Sequence, residues 1–249
     1  MIYAVANRKG GTGKTTTAWA LASGLERQGA HVLRVDMDAQ RNFSTALGVN
    51  GGATVYDVLT GAQKPYDTIQ KTPQGDIIPA SKELSGADLQ LTDTGKEYIL
   101  KEALDAVSWL YSHIVIDCPP ALGVLTVNAL TAADAVIIPA QADLFSLTGI
   151  EDMQETIAPI KKYTNAALRV DGILLTRYNG RAVLSRDVYQ LAKDAARKLG
   201  THVYKTTIRE GIAIKEAQAA RVSLYDYAPR AKVTEDYMAL VDEITKGGR

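Results

Sequence analysis

The chain opens on an apolar run, Ile2-Tyr3-Ala4-Val5-Ala6, which empties into a turn carrying Gly10, Gly11 and Gly13 and then into Lys14-Thr15-Thr16-Thr17. Nothing else in the sequence limits the fold so tightly. Apolar and β-branched residues favour a strand, clustered glycines break it, and helical apolar spacing begins at Lys14. A strand that leaves through a helix has to cross over before it pairs again, and such crossovers build parallel sheets.

The rest of the chain repeats this unit. Strands are expected at Ile2–Ala6, Val32–Asp36, Asp76–Pro79, Ile114–Asp117, Ala135–Pro139, Val170–Leu175 and Val203–Lys205. Helices are expected at Lys14–Gln28, Leu84–Leu91, Gly95–Trp109, Leu122–Ala132, Thr148–Lys162, Ala182–Leu199 and Lys232–Lys246. The runs IVID (114–117) and AVIIP (135–139) lack polar alternation, as strands covered on both faces do. The order predicts an α/β fold: a single-domain, doubly wound, mainly parallel sheet with helices on both faces. No linker or repeat interrupts it, so residues 1–249 read as one domain with the 232–246 helix packed on it. Residues 48–75, rich in Gly and Pro, read as a surface excursion with one short helix near Thr54–Leu59.

Composition removes several function classes. A single cysteine, Cys118, excludes an internal disulfide and a multi-cysteine metal site on one chain. No window has the ~18 consecutive apolar residues of a membrane span. The first residues lack the pattern of a secretory signal, so the expected compartment is the cytoplasm. Net charge is zero, but residues 1–160 carry 11 basic and 18 acidic side chains while residues 161–249 carry 17 and 10. That asymmetry points to a basic face built by the last third of the chain.

Ligands of open parallel sheets bind beyond the carboxyl ends of the strands, so residues just after each strand should carry the chemistry. After the first strand, the pattern G-x-x-x-x-G-K-[ST] fails only at its first position, where Arg8 stands. Its working end survives. Gly10, Gly11, Thr12 and Gly13 let backbone N–H groups approach phosphate oxygens, Lys14 reaches the outer phosphates, Thr15 ligates Mg²⁺, and Thr16 adds a hydroxyl. Asp38 follows the second strand and is suited to orient an attacking water. Asp117 ends the strand 114–117 and is suited to hold Mg²⁺ through water. Asp36 either supports the metal's water shell or caps the following turn. Carboxylates grouped this way need a cation.

The segment Lys9-Gly10-Gly11-Thr12-Gly13-Lys14-Thr15-Thr16 resembles the deviant Walker A loop of the ParA/MinD ATPases, marked by its extra early lysine. Val35-Asp36-Met37-Asp38-Ala39-Gln40 and Ile114-Val115-Ile116-Asp117-Cys118-Pro119-Pro120 resemble that family's second and Walker B motifs. The similarity runs from Met1 to about Ala228 and is strongest to short ParA/Soj partition ATPases. It implies ATP and Mg²⁺ as cofactors, with Lys9, Lys14 and Asp38 as catalytic residues. It further implies that Lys9 crosses to the nucleotide of a second subunit, so that ATP drives homodimerisation. Non-specific binding of double-stranded DNA, a ParB-like protein that stimulates weak hydrolysis, and a nucleoid-associated location follow from the same resemblance. Candidate DNA contacts are Arg177, Arg181, Arg186, Arg209, Lys215 and Arg221, with Arg230 nearby. Thr176–Asn179 is a candidate adenine or ribose contact.

The sequence departs from the family pattern at three places. Arg8 stands where glutamine is frequent, Arg41 where many relatives have glycine, and Glu210 and Ala213 where basic residues are common. Arg41 reaches the nucleotide, reaches a partner, or points to solvent. The 232–246 helix carries four acidic residues and an apolar stripe better suited to packing on the domain than to a membrane surface. Two alternatives stand beside DNA partition: ParA-like positioning of another cargo, and a phosphate-loop biosynthetic ligase or kinase.

Overall fold

The computed structural model describes residues 1–247, and the side chains of all of these except 144–148, 183 and 184. Its strands are β1 (Ile2–Val5), β2 (Val32–Asp36), β3 (Gln70–Thr72), β4 (Gly75–Ile78), β5 (His113–Asp117), β6 (Ala135–Gln141) and β7 (Arg169–Thr176). They lie in the order β3-β4-β2-β5-β1-β6-β7. All neighbours are parallel except the edge pair β3 and β4. β1 is central, flanked by β5 and β6, so the glycine turn that follows it opens at mid-sheet.

The inner strands bury both faces, as the apolar runs of β1, β5 and β6 require. One core packs Ala4, Leu33, Ile116, Ile138 and Ile173 against α3 (Val55–Leu59), α6 (Ile99–Asp105), α7 (Val124–Ala132), α8 (Leu144–Tyr163) and α9 (Val183–Lys198). The other packs Tyr3, Val5, Val115, Ile137 and Leu174 against α1 (Lys14–Arg27), α2 (Asn42–Ala46), α10 (Ile212–Ala220), α11 (Leu224–Tyr227) and α12 (Lys232–Lys246). Val233, Tyr237, Leu240 and Val241 of α12 are all buried in this second core. The apolar stripe of the C-terminal helix is therefore spent on packing. No helix among the described residues is long and apolar enough to cross a membrane.

Three expectations need correction. Val203–Lys205 is not a strand: Val203 makes one isolated parallel bridge to Ile173. The N–H groups of Lys205 and Thr206 instead donate to the Glu243 carboxylate at 2.8 and 2.9 Å, which removes them from any ladder. The excursion 48–75 holds more than one helix, since it also carries α4 (Pro65–Thr68) and the edge strand β3. β3 is polar, and a lysine at its centre is the usual protection of a sheet edge, so no apolar run announces it. Finally, Leu84–Leu91 and Gly95–Trp109 break into 3₁₀ turns around α5 (Ala87–Gln90) and α6.

Candidate active site at the carboxyl edge of the sheet

The glycine turn wraps the start of α1. Gly13 has φ 93°, a left-handed conformation that glycine adopts freely, and its carbonyl accepts the N–H of Thr17 at 2.8 Å to start the helix. The turn is braced from the neighbouring strands. Thr176 Oγ1, at the end of β7, donates to the Thr12 carbonyl at 2.9 Å, and Gln141 Nε2, at the end of β6, donates to the Gly11 carbonyl at 2.7 Å. Asn7 Nδ2 donates to the Pro139 carbonyl at 2.7 Å while its Oδ1 accepts the N–H of Lys9 at 2.9 Å. A Cβ at Gly149 on α8 would stand 2.7 Å from that Asn7 oxygen, so glycine is what lets α8 close on the turn. These bonds fix the path of the turn, and a glycine turn opening a helix in this way offers backbone N–H groups to an anion.

The two lysines have different surroundings. Lys14 is buried, and its Nζ donates to the Lys9 carbonyl at 3.1 Å. Burial lowers its pKa, while Asp117 first, then Cys118 and Asp38, act to raise it. Lys9 is partly exposed and pairs with Asp143 of its own chain, Nζ to Oδ1 at 3.0 Å. Arg8 faces Asp152 of α8 at 3.7 Å.

Asp36 and Asp117 stand directly opposite each other where β2 and β5 pair. Asp36 is fully committed: Oδ2 accepts the N–H and hydroxyl of Ser44 at 2.8 and 2.7 Å, and Oδ1 accepts the N–H of Asp38 at 3.1 Å. Of its two expected roles, this geometry favours the cap, since it anchors α2 and the Asp38 turn. Burial, opposed by those Ser44 and Asp38 bonds, pushes its pKa up to about 6. Asp117 is completely buried with neither carboxylate oxygen hydrogen-bonded. Burial first and Asp36 next raise its pKa, while Thr15 and Lys14 favour the ionised form. Thr15 lies near without a hydrogen bond of normal geometry. Asp38 is half-buried, and its Oδ1 accepts the N–H of Gln40 at 2.9 Å.

Unpartnered buried carboxylate oxygens beside a threonine at a helix start suit a Mg²⁺ bridged by water. Among the described residues, no three His, Cys, Asp or Glu side chains cluster to hold a metal by themselves. The metal would therefore take most of its ligands from phosphate and water, as Mg²⁺ commonly does.

Beside the turn lies a cleft of about 160 Å³ lined by Gly13, Thr16, Thr176, Arg177, Lys215 and Tyr237. It adjoins a wider one of about 840 Å³ lined by Arg177, Tyr178, Asn179, Arg181 and Arg209. Four of the six basic candidates, Arg177, Arg181, Arg209 and Lys215, thus gather near the cradle. Arg209 is chelated by Asp236, with both bonds at 2.7 Å. Arg186, on α9, and Arg221, at the C-terminus of α10, are exposed and line neither cleft.

The sequence reading missed Asn7, Gln141, Asp143 and Gly149. Each acts through a contact across more than a hundred residues, and no local pattern marks it.

Residues 1–170 match the sequence model of a family described as an AAA domain. The sporulation initiation inhibitor protein Soj of Bacillus subtilis is 38% identical over 253 residues, covering 99% of both chains. The chromosome partitioning protein ParA of Caulobacter vibrioides is 39% identical over 251 residues, covering 98% of this chain and 93% of that one. This chain belongs to the ParA/Soj family of partition ATPases. The resemblance carried by Lys9–Thr16, Val35–Gln40 and Ile114–Pro120 is thereby upheld. A solved relative of this ParA/Soj chain is the cobyrinic acid a,c-diamide synthase of Mycobacterium smegmatis with bound ADP and magnesium. It superposes with a TM-score of 0.86 at 34% identity, covering 100% of this chain and 96% of that one.

Proposed function

We propose that this chain is an ATP-driven dimer switch of DNA partition, which holds DNA non-specifically while ATP is bound and lets go on hydrolysis. The observation that carries the reading is the grouping of Lys9, Lys14, Asp38 and the unpartnered Asp117 around one glycine turn. Full-length similarity to Soj and ParA supports it.

The backbone N–H groups of residues 10–15 and the Lys14 ammonium hold the β- and γ-phosphates. Thr15 and, through water, Asp117 hold Mg²⁺, which when bound neutralises charge on the phosphate oxygens. Asp38 orients the water for in-line attack, on a turn fixed by Asp36 and Ser44. The cleft beside Thr176 and Arg177 takes the base and ribose. Lys9 exchanges Asp143 for the nucleotide of a second subunit, so each subunit supplies a cation for its partner's triphosphate. A charge-assisted contact to phosphate is worth ~1.5–3 kcal/mol. Loss of the γ-phosphate weakens both copies of the bridge and opens the dimer.

DNA binding falls to the basic side chains around the wide cleft, Arg177, Arg181 and Arg209, with Lys215, Arg186 and Arg221 beyond. Doubling them in a dimer strengthens phosphate contact and its salt dependence together. A ParB-like partner accelerates a slow intrinsic turnover, and the working place is the cytoplasm, on the nucleoid.

A second reading is a phosphate-loop biosynthetic enzyme acting on a small carboxylate, favoured by the likeness to the structure named a diamide synthase. Such an enzyme has no use for a lysine in trans. Retention on plain double-stranded DNA separates the two. Partition predicts retention with ATP, loss with ADP, and steep weakening with salt. Equal retention in both nucleotides, or none in either, would overturn it.

A further inference from the structure

Beyond α9 the chain returns to the edge of β7 as a strap, residues 203–211, that pairs at only two points. Val203 bridges Ile173 and Ile208 bridges Thr176. The strap thus takes five steps where β7 takes three, and Lys205, Thr206 and Thr207 carry the excess as a bulge. A bulge takes backbone N–H groups out of the ladder, and they need other acceptors.

α12 supplies those acceptors. Glu243 takes the N–H groups of Lys205 and Thr206. Asp236 Oδ2 takes the N–H of Arg209 at 3.1 Å, and the Arg209 side chain closes on the same carboxylate through Nε and Nη2. Three donors of one residue therefore converge on Asp236, a buried carboxylate that would be costly without them. At the far end of the strap, a Cβ on Gly211 would stand 2.7 Å from Val233 Cγ1, so glycine lets α12 close there. Val233, Asp236 and Glu243 lie along one side of α12.

The strap is also a wall. Ile208, Arg209, Glu210 and Gly211 line the narrow cleft together with Gly11, Gly13 and Thr16 of the phosphate turn. Tyr237 of α12 lines it too, with its hydroxyl 3.5 Å from Thr17 Oγ1 in the first turn of α1. Asp236 and Glu243 do not line it. α12 thus touches both the strap and the helix that opens from the phosphate turn.

On the reading that this cleft takes base and ribose, we propose that Asp236 and Glu243 are positioning residues for that half of the nucleotide. They clasp the strap to α12 and so hold the wall 208–211 at a fixed distance from the glycine turn. Phosphates alone, held by the turn, do not depend on the clasp.

Calorimetric titration of the full chain with ADP and with inorganic pyrophosphate, each with Mg²⁺, tests this without ATP-driven dimerisation. Asp236→Asn and Glu243→Gln each keep one acceptor oxygen and remove the charge. Each should weaken ADP about 3- to 10-fold, the scale of one hydrogen bond, and leave pyrophosphate within about twofold. Glu243 is only half-buried, so Glu243→Gln decides the matter if Asp236→Asn does not fold. A purely structural role would lower the melting temperature and leave the ratio of the two affinities at its parent value, and that result would overturn the proposal. Ile214→Trp, which fills the cleft from α10, tests the base site separately. If it weakens ADP alone while the carboxylate variants keep the parent ratio, the clasp is overturned and the base site stands. If Ile214→Trp leaves ADP binding unchanged, the base site falls and the clasp with it.

Discussion

Lys9 Nζ lies 3.0 Å from Asp143 Oδ1 of the same chain, across 134 residues of sequence. In the proposed dimer the same ammonium has to reach a second subunit's nucleotide. Asp143 therefore competes with ATP for it. Both side chains are about one-third exposed, so the pair is worth roughly 0.2–1 kcal/mol. Each dimer breaks two such pairs, so Asp143→Asn is expected to strengthen ATP-dependent dimerisation by about 2- to 30-fold, measured by sedimentation with a slowly hydrolysed ATP analogue. A weaker dimer would show that Asp143 supports the assembled state instead.

Lys14→Ala removes a buried cation that faces the phosphates. Nucleotide affinity should fall about 10- to 100-fold by calorimetric titration, the scale of one charge-assisted contact. An unchanged affinity would remove Lys14 from the phosphate site.

The protonation of Asp36 and Asp117 sets the pH response of the ligand-free protein. Both carboxyls are raised, Asp36 to about 6 and Asp117 well above its ordinary value. The folded chain thus keeps protons that the unfolded chain has released above about pH 4. Its stability falls as pH climbs through that window and past 6. Asp117→Asn removes the Asp117 share of this cost. Near pH 8 the ligand-free variant should be more stable than the parent by about 1–3 kcal/mol, or some 2–12 °C in melting temperature. It should also gain less from Mg²⁺ and ATP. A variant less stable than the parent at pH 8 would mean that the carboxylate has a partner in solution.

Arg34 is a structural counterpart. Its side chain is fully buried in β2, with Nη1 and Nη2 on the two Glu26 carboxylate oxygens at 2.8 and 2.6 Å. Glu26→Ala strands that charge and should cost about 3–5 kcal/mol by denaturant unfolding. A loss below about 1 kcal/mol, as for an ordinary surface pair, would show that water reaches the guanidinium.

What the sequence made legible follows from how local each signal is. The strands ending in Asp36 and Asp117 are short, mostly apolar and β-branched segments, and the turn between β1 and α1 is spelled in closely spaced glycines. Both survive reading one segment at a time. The Lys9–Asp143 pair, the Asn7 bridge to Pro139 and the contact of Gly149 with Asn7 exist only once β1, β6 and α8 have come together. β3 was hidden because an edge strand is kept polar, and Val203–Lys205 misled because Glu243 claims backbone donors that a strand would use. The sequence leaves the direction of Arg41 open, and the structure turns its guanidinium to the Val49 carbonyl.

Lys9 as the bridge between subunits is the claim most open to direct trial. An Asp38→Ala variant should hydrolyse ATP at least about 100-fold more slowly and sediment as a dimer with Mg²⁺ and ATP but as a monomer with ADP. Adding Lys9→Ala to it should leave ATP bound and the protein monomeric. If the double variant dimerises with ATP as readily as Asp38→Ala alone, the lysine plays no part across the interface and the switch described here is contradicted.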